Sequence, residues 1–346
     1  MIACSVAETG QLLLLEVGLD EPARNLESLL RSVQPAGVII RVGRPTNKGK
    51  LRTLLVKISR ALGINALLGA RGDGLPGMFR LPVPGPTRTG QQELRIMEAL
   101  AEIRGALLRA LGFNIDFTLS VDLTESGRPF APESNARRVA VLARAYVSGL
   151  RRQGVLACAG AFPGLASVET DKDSGASVSA KSMAALWQED LTPFRELLPR
   201  LPLLAMSPAA YEAYDFDVPR PAMLSSNVVT GLLRVKLGYR GAVVAHLPQL
   251  EQTAGKIEVG ESAVKAFEAG CDLIVVRGDK TSVEQAVQAT SGALGSGKIS
   301  RERLQESLGR IRALKRRLAA QKRRASPRAV QQIAERIGQL ARDSET

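Results

Sequence analysis

Residues 237–250 read LGYRGAVVAHLPQL, in which Gly241 opens an apolar run that stops at His246, the only histidine among 346 residues. A short, uninterrupted apolar run suits a parallel strand covered on both faces. A polar side chain at its C-terminal end is how such a strand delivers a group to a pocket at the mouth of an α/β barrel. The fold therefore turns on whether this pattern repeats.

It does repeat. Apolar runs of strand length occupy 12–18, 37–42, 65–70, 114–121, 155–161, 201–207, 241–247 and 272–278, and most are continuous rather than alternating. Amphipathic stretches such as 25–32, 90–111, 136–153 and 262–269 lie between them. Strand-length runs alternating with helical patterns are the signature of βα units. Eight in succession predict a single-domain α/β fold, the TIM (β/α)8 barrel, with a doubly wound parallel sheet as the alternative. The barrel is assigned to 1–319 and a basic, polar helical tail to 320–346. A helix is expected over 300–319 with Ser300 as its N-cap, and an amphipathic helix over 328–342 as an appendage. The Pro-rich stretch LPVPGP at 81–86 follows the third strand and reads as a loop at the barrel mouth.

Composition narrows the function. Aromatic residues make up only 4% of the chain, which leaves little material for a surface that binds by stacking. No apolar run is long enough to cross a bilayer, and the first residues lack the basic region of a signal peptide, so a cytoplasmic protein without membrane contact is expected. Three widely spaced cysteines, Cys4, Cys158 and Cys271, imply neither a disulfide framework nor a metal cluster. Cys158 and Cys271 sit inside apolar runs and read as small core residues. The formal net charge is +13, and seven of the positive charges fall between Lys315 and Arg328 with no acid among them. That excess reads as a solvated basic face in preference to a nucleic-acid contact. The sequence 72–77, GDGLPG, matches the dinucleotide-binding glycine spacing, yet Pro76 and the loop after it leave no helix to receive a pyrophosphate. No cofactor and no metal are expected.

Several stretches taken together resemble glycoside hydrolase family 3. They are LGFNIDFTLSVDL at 111–123, Arg128-Pro129-Phe130, ACAGAFPG at 157–164, PAMLS at 221–225, TGLLRVKLGYRGAVV at 230–244, and the segments 263–276 and 297–318. The nearest branch is that of single-domain bacterial β-N-acetylhexosaminidases, which cut N-acetylglucosamine from cell-wall fragments. The resemblance runs in order from about residue 10 to 318 and implies the barrel fold.

At the positions that carry the family's chemistry the chain departs from its pattern. The resemblance places the nucleophilic aspartate at the end of the seventh strand, where this chain has His246. A retaining glycosidase needs a carboxylate there to form a glycosyl ester and stabilise an oxocarbenium-like transition state. A neutral imidazole supplies no such charge. The acid/base loop of that branch falls on 160–173: Phe162-Pro163-Gly164 fits its turn and Asp171 its dyad aspartate. Gly160 and Ala161 replace a substrate-binding Lys-His pair, and Asp173 occupies the catalytic histidine's place. Arg71 stands where a sugar-binding aspartate belongs. Arg128 matches the substrate-binding arginine, and Asp122 the aspartate ending the fourth strand.

The candidate catalytic residues are thus His246, Asp173 and Asp171, and the candidate substrate-binding residues Arg71, Asp122 and Arg128. The preferred expectation is a hydrolytically weak or inactive relative that binds a small carbohydrate or anionic ligand, with Arg71 and Arg128 forming an anion-binding mouth. One alternative is an active O-glycosidase with Asp173 as the carboxylate and His246 as acid or base. Another is an interaction module that uses the basic tail. Asp122 could equally bond loop amides.

Overall fold

The structure, a computed structural model, describes residues 6–19, 25–43, 47–63, 65–72, 91–123, 135–170, 176–215, 217–254, 257–320 and 335. Each apolar run of the sequence becomes a strand: β1 Leu13–Gly18, β2 Gly37–Arg41, β3 Leu67–Arg71, β4 Ile115–Ser120, β5 Leu156–Phe162, with two further pieces intervening before the last three. Those three are β6 Leu203–Met206, β7 Ala242–His246 and β8 Leu273–Arg277. All eight pair in parallel, and β8 pairs back onto β1 with Leu13 opposite Ile274 and Glu16 opposite Arg277. The sheet is therefore closed. A doubly wound sheet, which has two open edges, is excluded.

Alternation along each strand sorts side chains between two cores, because successive residues point to opposite faces. Leu13, Leu15 and Val17 join the helix-facing core with Leu26, Leu30, Leu51 and Ile58. Leu12, Leu14, Ile39, Leu67, Val244 and Val275 join the second core, inside the barrel. Gly69 lies on the inward set of β3, where a Cβ would come within 2.4 Å of the Phe117 ring. The missing side chain makes room for that ring inside the barrel.

Helices cover the outside, among them Leu26–Val33, Lys48–Leu62, Gln91–Leu111, Ala136–Arg152, Val259–Ala269 and Lys280–Gly295. Their starts are capped as the sequence requires: Asn47 accepts from the Lys50 amide, Asn135 from Arg137 and Arg138, and Asp279 from Ser282. The last described helix, Arg301–Ala320, has Ser300 accepting from the Arg303 amide. It inserts Leu304, Leu308, Ile311, Leu314 and Leu318 into the inner core, and Lys315 bonds Gln11 just ahead of β1. The helix closes the N-terminal end of the barrel.

Two features have no counterpart in the sequence reading. Residues Asn227–Lys236 wind as a π-type helix, with the Leu237 amide reaching five residues back to the Leu232 carbonyl. A small sheet joins Glu169–Thr170, antiparallel, to Ser177–Ser179, which runs parallel to Ala210–Tyr211 just beyond β6. Residues 171–175, the stretch 81–86 and, apart from residue 335, the expected helix over 328–342 lie outside the described residues. Cys158 and Cys271 are buried, free thiols. Among the described residues no helix is long and apolar enough to cross a membrane.

Candidate active site

Parity predicts what reaches the mouth. On β1 the inward set is Leu12, Leu14 and then Glu16; on β2 it is Ile39 and then Arg41; on β3, Leu67, Gly69 and then Arg71. On β7 it is Ala242, Val244 and His246, and on β8, Leu273, Val275 and Arg277. Five strands thus end their apolar inner rows in a charged or ionisable side chain, forming one layer at the C-terminal end. A TIM barrel places its reactive groups at that end.

Three of these side chains converge. Glu16 Oε1 lies 3.2 Å from His246 Nε2 and 3.3 Å from the Arg71 guanidinium, while Arg41 stands 3.9 Å from Glu16 Oε2. The other ring nitrogen, His246 Nδ1, accepts the backbone N–H of Gln249 at 3.2 Å. A nitrogen that accepts carries no proton, so in the neutral ring the proton sits on Nε2 and is donated to Glu16. The 3.1 Å approach of Arg71 to Nε2 then brings together two donors that share one carboxylate oxygen. Both ring nitrogens of His246 are engaged inside the protein.

The electrostatics follow from burial and neighbours. Glu16 is only 6% exposed, and burial alone would raise its pKa. The hydrogen bond and charge of His246, then Arg71 and Arg41, outweigh burial and hold it at about 2. His246 moves below its ordinary value, chiefly by burial, with Arg71 pushing the same way against the pull of Glu16. At neutral pH the cluster is an ionised carboxylate, a neutral imidazole and two guanidiniums. Arg277 adds a third, bonded at 2.6 and 3.0 Å to Glu251.

The sequence-predicted residues divide accordingly. Arg71 and His246 meet; Arg71 is not a free, solvated arginine. Asp122 is placed just beyond β4, buried, where its carboxylate accepts from the Leu165 amide at 2.8 Å and the Ser120 hydroxyl at 2.7 Å. Asp171, Asp173 and Arg128 lie outside the described residues. Gly160 and Ala161, joined by a cis peptide, sit at the end of β5. The sequence reading missed Glu16, Arg41 and Arg277, although one signal was available: Glu16 is the lone acid in the apolar run LLLLEVG. Among the described residues no group of three His, Cys, Asp or Glu gathers as a metal site would need.

The model of the glycosyl hydrolase family 3 N terminal domain matches residues 7–314. A β-hexosaminidase of Pseudomonas aeruginosa is 26% identical over 292 residues, covering 80% of this chain and 85% of that protein. One from Nitrosomonas eutropha is 26% identical over 64% of this chain and 65% of its own length. For β-hexosaminidase A of Pseudoalteromonas piscicida the share is 40% of that protein, at 28% identity over 63% of this chain. Among solved structures, a family 3 β-N-acetylglucosaminidase from Paenibacillus superposes with a TM-score of 0.75 at 26% identity, covering 96% of this chain and 69% of the other. The β-N-acetylglucosaminidase of Thermotoga maritima shares the fold with a TM-score of 0.74 at 20% identity, over 94% and 70% of the two chains.

Proposed function

Since the chain belongs to glycosyl hydrolase family 3, we propose that it is a β-hexosaminidase-like member whose glycosidase activity is lost or vestigial, and whose barrel mouth holds a sugar-derived, anionic ligand. The observation that carries this reading is the double engagement of His246. A residue in the nucleophile's place with no charge and no free ring nitrogen cannot attack an anomeric carbon, and its geometry offers no proton-transfer path to a substrate. Among the described residues the carboxylate of this inner layer is Glu16, and it is bonded by His246 and Arg71 instead of being presented free. Three arginines around the mouth oppose the positive charge that develops in glycoside cleavage. They suit a ligand carrying carboxylate or phosphate, and Arg41, half exposed and with the longest contact to Glu16, has donors left for it.

A second reading keeps hydrolysis, with Asp173 as carboxylate and His246 as acid or base. The ionised state of Glu16 favours it to the extent that a charged carboxylate does stand at the mouth. Incubation with chromogenic N-acetylglucosaminide and glucoside separates the two. No release above a protein-free blank is expected. Turnover abolished by Asp173→Asn and by His246→Ala would establish the second reading and sink the first. For the ligand, titration with N-acetylglucosamine 6-phosphate should give binding that neutral N-acetylglucosamine does not. Equal affinity for both sugars would rule out an anion-selective mouth.

A further inference from the structure

The opposite end of the barrel has a cavity of its own. It measures about 680 Å3 and lies between the loops leading into β6 and β7 and the helix Arg301–Ala320. Its charged lining is Arg195, Arg240, Arg310 and Arg317 against a single acid, Glu306. Its apolar lining includes Leu198, Leu201, Leu237 and Leu314. We propose that this cleft binds an organic phosphate or diphosphate, its anionic group held by Arg240, Arg310 and Arg317 and its apolar part lying on the leucine floor. The proposal does not rest on the function assigned to the mouth.

The local acids do not balance the arginines. Glu306 lies 3.5 Å from Arg310, whose other terminal nitrogen bonds Asp272 at 2.9 Å. Asp272 is itself fully buried and already accepts from Arg234 at 2.6 Å, Ser307 at 2.7 Å and the Val243 amide at 3.0 Å, with Arg303 at 3.4 Å. One buried carboxylate thus faces three guanidiniums, and the surplus is positive beside the cavity. Arg195 lies 4.5 Å over the Trp187 ring and donates to Thr192. Arg240 and Arg317 are exposed and have no carboxylate partner among the described residues.

Chemistry then selects the ligand. Guanidinium forks match phosphate oxygens in pairs, and gathering several without counter-charge is unfavourable unless an anion joins them. Arg310 is held in orientation by Asp272, so part of the ordering cost is met before a ligand arrives. The leucine floor excludes water from one side, which strengthens each ionic contact and favours an apolar group attached to the phosphate.

Isothermal titration of the whole protein at physiological ionic strength, with inorganic pyrophosphate and with geranyl diphosphate, tests this. Both should bind, the geranyl compound more tightly. The double variant Arg240→Ala/Arg317→Ala should weaken both by roughly tenfold or more, as loss of charge-assisted hydrogen bonds implies. Both side chains are exposed, and an unchanged thermal melt of the variant would show that its fold is kept. Arg60→Ala, an exposed arginine on the outer helix Lys48–Leu62, should leave these affinities as they are. Several results would overturn the proposal: neither diphosphate binds, the double variant binds as well as the parent, or Arg60→Ala removes binding. Equal affinity for the two diphosphates would overturn the apolar half. Retention of a duplex oligonucleotide with no response to either diphosphate would give the surface to nucleic acid instead.

Discussion

The two ends of the barrel use the same device, a buried carboxylate among arginines, to different effect. At the N-terminal end Asp272 accepts from side chains of the π-type helix and of the helix Arg301–Ala320 and from the β7 backbone. Every side-chain donor comes from one of those two helices, so the cluster ties them to the sheet. At the mouth Glu16 accepts from strand ends alone, His246 on β7 and Arg71 on β3, with Arg41 further off and half exposed. Those strands are already locked by their ladder. The mouth cluster therefore joins elements that the sheet has already placed, and it sets the charge a ligand meets.

Three substitutions press on that difference. The largest effect is expected from Asp272→Ala, which leaves three guanidiniums around an emptied site. By analogy with other buried pairs it should cost about 3–5 kcal/mol in urea unfolding, and a loss below about 1 kcal/mol would show that the closing helix is held by its leucines alone. Glu16→Gln should cost on the order of 3 kcal/mol near neutral pH, from a pKa held at about 2 instead of 4.5. The sign is that of a depressed carboxylate: the stabilisation is present above about pH 4.5 and disappears as pH falls towards about 2. His246 acts in the same direction, because its pKa is also below the unfolded value and the unfolded chain takes up its proton first. A parent and a Glu16→Gln protein with parallel stability curves between those pH values would break the assignment. The smallest stability change belongs to Arg41→Ala, about 0–1 kcal/mol for a half-exposed ion pair, with a clear loss of affinity for N-acetylglucosamine 6-phosphate at the mouth. If stability falls while affinity is kept, Arg41 belongs with the structural arginines of the other end.

Two of the five side chains in the mouth layer were within reach of the sequence. His246 was singled out as the polar end of an apolar run, and Arg71 as a basic residue where the family pattern has an acid. Glu16 was not, because a single acid inside a strand-length run carries no sign of its direction until the strand's parity and neighbours are known. Arg41 and Arg277 were hidden for the same reason among the chain's many arginines. The small sheet of Glu169–Thr170, Ser177–Ser179 and Ala210–Tyr211 is also illegible: strands of two or three residues have too few positions to show a period.

What the sequence determined by itself is an α/β fold of parallel strands, since strand-length apolar runs, most of them continuous, alternate with amphipathic stretches that cover them on both faces; that the eight strands close into a barrel was decided by the pairing of β8 with β1. The sequence also marks His246 as the polar end of the seventh apolar run. Only the tertiary structure decided what that histidine does. Its two ring nitrogens are claimed by a backbone amide three residues away and by Glu16, 230 residues distant in the chain, and a contact between strands that far apart exists only once the barrel has closed.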